Sequence, residues 1–524
     1  MQPIKAQSDS PRSAGVRTWR PRPGWPVLLL VGTLLVAVAL PPALAQRKKG
    51  GRKKTAGKQP AAKKTTPKPK ATPKPKKTEV TKSKKTSVDM LADLKRLPSM
   101  NINKPLLTKP EYDQLGKAMP EPRVAAVLQG GRGGFAANKK FISDWAKWRI
   151  LGMTRAENRD KLFDMKQRTL YFTRMTGKKL LDPTAARAFR KDVFQLIVDR
   201  CEQILDNNYF VRLQAVMILG NLNQDEFNRE KKLPPVAFGP AYKPLLKVLL
   251  TPDKEQPLSI KIAAAVGLKR IALLGPREKS AQRTRELEMV DVLIKEFQRQ
   301  KTHSWYQMRL AEAMAALEMK TNVEEQAVIL QALTKAVVNL DHSRAPSVRA
   351  QAAMSLGRAA LPTDANVDLM MHEIVNLAAE LSEQYNADLA KGSLPSHWTD
   401  SFLRLYFAFM PVDRLEKEFL YKNRSDLRDR NAGLLGKGRT KPQNDRIKAA
   451  YQQVLQVVKH VAGQSDKVKK APVPVATIAE MRTWMASHPP KDFKIQGNGR
   501  LPALRAKQVG LSKSKRVNGG VGGP

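Results

Sequence analysis

Apolar residues recur along the central part of the chain at intervals of three and four positions. Phe141, Trp145 and Trp148 follow this spacing, and a longer stripe runs from Phe189 to Ile204. Similar stripes begin near residues 327, 374 and 447. This spacing places the apolar side chains on one face of a helix, and no stretch of comparable length alternates with a period of two. The pattern predicts an all-α protein with a helical body over residues 141–463.

Three segments of this body carry matching residue types at matching offsets. VRLQAVMILG begins at Val211, IKIAAAVGLK at Ile260 and VRAQAAMSLG at Val348. A fourth and degenerate copy begins at Met308, with its alanines shifted. The starts are 49, 48 and 40 residues apart, which is close to the period of stacked helical hairpins.

The repeated pattern has a physical explanation. Apolar, small and apolar residues at positions i, i+4 and i+8 form a seam on one helix face, where alanine lets a neighbouring helix approach. A late glycine relieves crowding, and the basic residue after the first apolar one is expected off the seam, near the turn before the helix. The predicted seam residues are Val211, Ala215, Leu219, Ile260, Ala264, Leu268, Val348, Ala352 and Leu356.

These segments resemble the second helix of HEAT repeats over about residues 182–388. The resemblance implies an α-solenoid of HEAT-like helical hairpins, a fold that presents extended binding surfaces. An irregular helical bundle is the alternative. The repeat pattern carries information about fold and none about a particular partner.

The beginning of the sequence has the features of an export signal. A basic leader precedes the apolar run Val27–Leu40, and Ala43-Leu44-Ala45 follows it. This order predicts a signal peptide over residues 1–45, cleaved after Ala45, and an exported protein, periplasmic or secreted, that contacts the membrane only transiently through this segment. The alternative is a membrane anchor, because the uncharged residues 25–45 are just long enough to cross a bilayer. The basic residues directly after Ala45 resist translocation.

Residues 46–87 form a Lys/Pro-rich linker with very little apolar surface to bury. Arg47–Thr86 holds 17 basic residues and one acidic residue, a composition that predicts an extended, disordered segment. It resembles the tails of linker histones in composition. It is either a solvated spacer or a tether for a polyanion. The candidate polyanion-binding residues are Arg47, Lys48, Lys49, Arg52, Lys53, Lys54, Lys63, Lys64, Lys68, Lys70, Lys74, Lys76 and Lys77.

The formal net charge of +47 is concentrated outside the helical body. The leader 1–24, the tether 47–86 and the tail 464–524 carry +4, +16 and +9, which leaves +18 for residues 87–463. Such a charge attracts polyanions but does not determine a fold.

Three further segments are predicted to lack regular structure. Residues 88–140 are expected to be irregular and to end in a flexible glycine-rich loop at 130–134. Residues 423–443 are expected to form an exposed loop, and residues 464–524 a basic, mostly disordered tail.

No pattern in the sequence predicts catalysis, a cofactor or a metal. His372-Glu373 lacks the second histidine of a zinc helix, because Asn376 stands in its place. Gly177-Lys178-Lys179 lacks the glycine spacing that holds a phosphate. The single cysteine, Cys201, excludes an intramolecular disulfide, and its place on an apolar stripe predicts a buried, inert thiol.

An aromatic cluster in the last third of the body has two interpretations. It is too dense for one exposed helix, so it belongs either to the core or to a groove for a partner segment. Its members are Trp398, Phe402, Leu405, Tyr406, Phe407 and Phe409.

Three functional hypotheses remain from the sequence. The first is a non-enzymatic scaffold that binds an unidentified protein partner in the cell envelope or outside the cell. The second is binding of nucleic acid or another anionic polymer through the tether and basic helical surfaces. The third, an enzyme built on a HEAT-like domain as in the bilin lyases, has no catalytic residues to support it. A continuous basic stripe on the body would favour the second hypothesis over the first.

Overall fold

The computed structural model describes residues 102–299, 302–339, 343–392, 397–411, 432–438, 440–463, 470–497 and 501–504. All of them belong to one compact unit, Lys85–Pro524. The predicted signal peptide and the tether residues between Arg47 and Lys77 lie outside the described residues.

The described part of the chain is all-α, as the apolar spacing predicts. Its sixteen α-helices are α1 (Lys109–Ala118), α2 (Glu121–Leu128), α3 (Gly134–Ala146), α4 (Leu162–Met175), α5 (Pro183–Gln203), α6 (Tyr209–Asn221), α7 (Tyr242–Leu250), α8 (Leu258–Leu274), α9 (Lys279–Gln298), α10 (Ser304–Ala316), α11 (Val328–Val338), α12 (Pro346–Leu356), α13 (Val367–Ala390), α14 (His397–Phe409), α15 (Lys441–Ala462) and α16 (Val475–Ser487). A π-helical turn, Lys147–Leu151, continues α3, and short 3₁₀ segments cover 152–154, 156–161, 239–241 and 434–436.

The helices pack in two interleaved rows. Helices α4, α6, α8, α10, α12 and α14, here called the even row, each contact the next member of the row. Helices α7, α9, α11 and α13, here called the odd row, do the same. Consecutive helices from α5 to α8 and from α9 to α14 are also in contact. Every even-row helix from α6 to α12 therefore has a helix on either side and a third one behind it.

Two glycines mark the closest approaches within the even row. A Cβ atom added to Gly220 on α6 would lie 3.1 Å from the Cα of Gly267 on α8. A Cβ added to Gly357, at the end of α12, would lie 2.0 Å from the carbonyl oxygen of Ala408 on α14. Both Gly220 and Gly357 occupy the late glycine position of the repeat, where the backbones of adjacent helices leave a tight fit for a Cβ at Gly220 and no room for one at Gly357.

A small β-hairpin, which the sequence pattern does not predict, lies between α6 and α7. Strand β1 (Asn223–Asp225) pairs antiparallel with β2 (Val236–Ala237). The strands are too short to show an alternating pattern. The buried Arg190 holds β1 in place, because it donates hydrogen bonds to the carbonyl oxygens of Asn223 and Gln224, at 2.8 Å each.

The expectation of an irregular region over residues 88–140 is wrong for the part that is described. Helices α1 and α2 and the first half of α3 lie within it. Helix α1 begins with a capping box, in which Thr108 and Glu111 each bind the other's backbone N–H. The glycine-rich loop at 130–134 is present, with positive φ angles at Gly130, Gly133 and Gly134, and α3 begins within it.

The expectation of a mostly disordered tail over residues 464–524 also needs correction. Helix α16 buries Ile478, Met481 and Met485 at helical spacing and packs against α13 and α15. Further on, the buried Gln496 accepts a hydrogen bond from the backbone of Ala327, at the start of α11. The contacts with α13 and with Ala327 join positions more than 80 residues apart, which no local pattern reveals. Residues 464–469, 498–500 and 505–524 lie outside the described residues.

The predicted exposed loop over residues 423–443 is only partly a loop. Helix α15 begins at Lys441, and Leu434 is fully buried in the 3₁₀ turn 434–436. Residues 423–431 are outside the described part of the chain.

Candidate functional site

The three repeat copies lie on equivalent helices of the even row. The copy beginning at Val211 forms α6, the copy at Ile260 lies in α8, and the copy at Val348 lies in α12. All nine predicted seam residues are at most 1% exposed, and the three alanines Ala215, Ala264 and Ala352 are fully buried. The seam positions therefore lie where even-row helices contact their neighbours.

The fourth copy, on α10, has a different register from the one that the sequence indicates. Tyr306, Leu310 and Met314 are the fully buried residues at i, i+4 and i+8, whereas Met308 is half-buried. The copy therefore begins at Tyr306 rather than Met308. A tyrosine and a leucine replace the usual valine and alanine, which is why the residue types mislead.

The second residue of each copy binds the turn that precedes its own helix. Arg212 donates to the carbonyl oxygen of Asp206 at 2.8 Å. Gln307, which takes this place on α10, donates to the carbonyl oxygen of Arg299 at 3.2 Å. Arg349 donates to the carbonyl oxygen of Val337 at 2.8 and 3.1 Å. These contacts agree with the prediction that this residue lies near the turn. The residue is nevertheless buried in two of the copies, since Arg349 and Gln307 are each 2% exposed.

In the second copy this position is occupied by a buried lysine within an ionic network. The side chain of Lys261 is 1% exposed, and its Nζ lies 2.8 Å from Asp253 and 3.7 Å from Glu296. Arg299 pairs with the same two carboxylates, and the Tyr306 hydroxyl donates to Glu296 at 2.9 Å. Burial is tolerated here because every charge has a partner of opposite sign.

The opposite side of the even row carries apolar side chains that the core does not cover completely. A residue two positions after the seam alanine lies about 200° further around the helix, and therefore on the opposite face. This position is Met217 on α6, Val266 on α8 and Met354 on α12. Val266 is 46% exposed, and the two methionines are half-buried.

Helices α10 and α14 extend this apolar surface. Trp305 on α10 is 45% exposed, and Met308 next to it is half-buried. Phe407 on α14 is also half-buried. In its aromatic cluster Tyr406 is half-buried as well, and the other members are buried. We call this surface the even-row face and define it by Met217, Val266, Trp305, Met308, Met354 and Phe407. The even-row face was not predicted from the sequence, although Met, Val and Met recur two positions after the alanine in the three best copies.

A group of charged side chains lies on the same side of α8, α10 and α14. The Glu312 carboxylate accepts a hydrogen bond from Lys269 at 3.1 Å and another from Arg309 at 2.9 Å, both on Oε2. Arg404 on α14 interacts electrostatically with Glu312 and Arg309, and its Nε donates a hydrogen bond to Gln351 on α12 at 3.0 Å. Burial lowers the pKa of Arg404. Four consecutive even-row helices therefore contribute to one polar cluster.

The surroundings of Cys201 and Glu373 favour a structural role for both residues. Cys201 is fully buried on α5, and this burial raises the pKa of its thiol, which disfavours the reactive thiolate. The Glu373 side chain is buried, at 1% exposed, and its carboxylate lies 3.6 Å from the imidazole Nδ1 of His372. Within the described ranges, no three His, Cys, Asp or Glu side chains are grouped closely enough to hold a metal ion.

The membrane and similarity comparisons add two findings. Among the helices in the described ranges, none is both long and apolar enough to span a bilayer. No protein-family model, no curated protein and no solved structure matches this chain.

Proposed function

We propose that this protein is an exported, non-enzymatic scaffold with a HEAT-like solenoid, and that its even-row face binds a protein partner. The observation that carries the proposal is the recurrence of partly exposed apolar side chains on five successive even-row helices. Monomeric proteins rarely expose a contiguous apolar surface without a partner for it.

The contacts between helices support the solenoid arrangement. From α7–α8 to α13–α14, each hairpin contacts the next one through both of its helices, which is the nearest-neighbour packing of repeat proteins. The residue at the second position of each copy contacts the turn before its own helix. This residue is Arg212, Lys261, Gln307 or Arg349. Arg212 also donates to the carbonyl oxygen of Glu255 in the next turn, at 2.9 Å, and so connects two consecutive repeats.

The distribution of charge on the even row favours a protein partner over a polyanion. Arg212, Lys261 and Arg349 donate to turns and to carboxylates, so their charges are directed into the structure. The even-row face itself is apolar and rich in methionine, a flexible side chain that suits protein-binding surfaces.

Site-specific photo-crosslinking tests this proposal. A photoreactive phenylalanine at Met354 or Val266 is expected to capture the same partner from the native envelope or secreted fraction. The matched control is Lys243, an exposed residue on α7 in the odd row. The Trp305→Asp substitution is expected to abolish capture, because it adds a charge to the apolar face. Equal capture from Lys243, or capture that survives Trp305→Asp, would contradict the proposal.

Export is the part of the proposal that rests on the sequence alone. The charged leader, the apolar run Val27–Leu40 and Ala43-Leu44-Ala45 support it. N-terminal sequencing of the native protein is expected to begin at Gln46. A native chain that still begins upstream of Ala45 would favour the membrane-anchored alternative.

Polyanion binding is the second candidate, and the composition of the tether supports it. With 17 basic residues between Arg47 and Thr86, binding would release counterions and weaken steeply with salt. Fluorescence anisotropy with labelled heparin or duplex DNA compares the chain that begins at Gln46 with one that begins at Ser87. The shorter chain is expected to bind far more weakly and with a shallower salt dependence. Equal affinities and slopes would show that the tether is a spacer.

A further inference from the structure

The charged cluster on the even row contains more cations than its internal carboxylate can pair. Lys269 and Arg309 both donate to the single oxygen Oε2 of Glu312. Arg404 contributes a third cation, and the exposed Asp400, one turn before it, is the other acidic group nearby. Three cations therefore face two carboxylates, of which Asp400 is in solvent.

The hydrogen-bonding capacity of the two arginines is also incompletely used. Arg309 Nε is buried and has no hydrogen-bond partner among the described residues. Arg404 uses Nε to bind the neutral side chain of Gln351. A guanidinium group has five N–H donors in a planar arrangement that matches a carboxylate. Arginines that are removed from water without a full set of partners are unfavourable unless an anion completes them.

The cluster lies directly beside the apolar residues of the even-row face. On their helices, Val266 precedes Lys269 by three positions, Trp305 precedes Arg309 by four, and Arg404 precedes Phe407 by three. Side chains at these separations are neighbours on a helix surface. A ligand that covers the apolar side chains therefore also reaches the cations.

We propose that Arg309 and Arg404, together with Lys269, form an anchor for a carboxylate on an acidic, apolar segment of the protein partner. The apolar residues of that segment pack on Trp305, Met354 and Phe407, and its Asp or Glu side chain enters the cluster. This inference rests on the proposed docking function of the even-row face. A purely anionic polymer satisfies the cations but leaves the apolar surface exposed, so an acidic protein segment fits the face better.

Selection of peptides tests the composition of the partner segment. A random 16-residue peptide library is displayed on phage and selected in parallel on the whole mature chain and on its Arg309→Met/Arg404→Met variant. Because both proteins carry the same basic tether, peptides enriched only on the wild-type chain report on the cluster. These peptides are expected to contain Asp or Glu between apolar residues. Enriched peptides without acidic residues would overturn the anchor.

Binding measurements then separate the charge from the apolar surface. A labelled peptide from the selection and its Glu→Gln counterpart are titrated by fluorescence anisotropy. Arg404→Met is expected to weaken the acidic peptide about tenfold or more, as for an arginine at the centre of an interface, and to leave the Gln counterpart unchanged. Glu312→Gln is expected to strengthen acidic-peptide binding, because it removes the internal competitor. Lys191→Met, at an exposed position of α5, is the matched control.

The outcomes distinguish failure of the anchor from failure of the docking face. Equal affinities for both peptides, with both lost in Trp305→Ala, would overturn the anchor and keep the face. Affinities that do not respond to Trp305→Ala would overturn the proposed function as well. A weaker acidic peptide in Glu312→Gln would show that the cations hold α8 and α10 together instead. Duplex DNA that depends on Arg404 as strongly as the peptide does would assign the cluster to polyanions.

Discussion

Replacing Arg349 by methionine is expected to loosen the α11–α12 hairpin. The Arg349 side chain is 3% exposed and lies 2.6 Å from Glu380 on α13. Its Nε and Nη2 both donate to the carbonyl oxygen of Val337, in the last turn of α11. Carbonyls in the last turn of a helix have no partner within the helix. Methionine retains much of the aliphatic stem but none of the donors.

The size of the effect follows from these contacts. A hydrogen bond from a charged donor contributes about 1.5–3 kcal/mol, and a buried acceptor left without a donor costs about 1–3 kcal/mol. Breaking a buried ion pair costs about 3–5 kcal/mol. The Glu380 side chain is 27% exposed and is therefore able to recover water, so the lower end applies. We expect a loss of about 3 kcal/mol, or roughly a hundredfold in the local opening equilibrium.

Hydrogen exchange measured by mass spectrometry is the appropriate assay, because it reports the local opening of this hairpin separately from the unfolding of the whole protein. Backbone amides of peptides covering 328–338 and 346–356 are expected to exchange roughly a hundredfold faster in Arg349→Met. Arg349→Lys keeps the charge but loses the planar two-point contact, and is expected to have an intermediate effect. The exposed Lys191→Met is the control. Exchange rates in Arg349→Met within threefold of wild type would refute the reasoning.

Three other substitutions or measurements test the packing. Ala215→Asp and Ala352→Asp each place an unpaired carboxylate in a fully buried seam, which costs several kcal/mol, and unchanged thermal melting would show that the register is wrong. Gly357→Ala is expected to destabilise by about 1–3 kcal/mol through overpacking against Ala408, because the added Cβ would lie 2.0 Å from the carbonyl oxygen of that residue. A higher melting temperature would contradict this. The buried Cys201 thiol, with its raised pKa, is expected to react with a disulfide reagent at pH 8 only after denaturation, and stoichiometric reaction of the native protein would disprove its burial.

The helices and the repeat could be predicted because they depend on local pattern. Residues such as Val193, Ile197 and Cys201 recur with the helical period, and all of them are buried on α5. The seam alanines could be predicted for the same reason, since two nearly identical copies place them at the same offset. Export and the polyanion tether also come from the sequence, and both remain predictions.

The boundaries of the folded region could not be predicted, because they depend on distant contacts. Helix α16 is short and lies within a basic tail whose overall composition predicts disorder. It packs on α13, about 100 residues earlier, and Arg482 on it donates to Asn376 at 2.7 Å. Only the presence of that partner makes ordering this helix favourable.

The candidate site shows the same division between sequence and structure. Composition and spacing by themselves determine that the chain folds as helices, that alanines lie in a repeated seam, and that a basic residue follows the seam start in the three best copies. Which cations are buried and paired depends on contacts with other helices. Arg349 is directed inward because the end of α11 presents acceptors to it, whereas Arg404 donates to the neutral side chain of Gln351 on α12. Because these partners come from other helices, the tertiary structure alone decides which charges are paired within the fold.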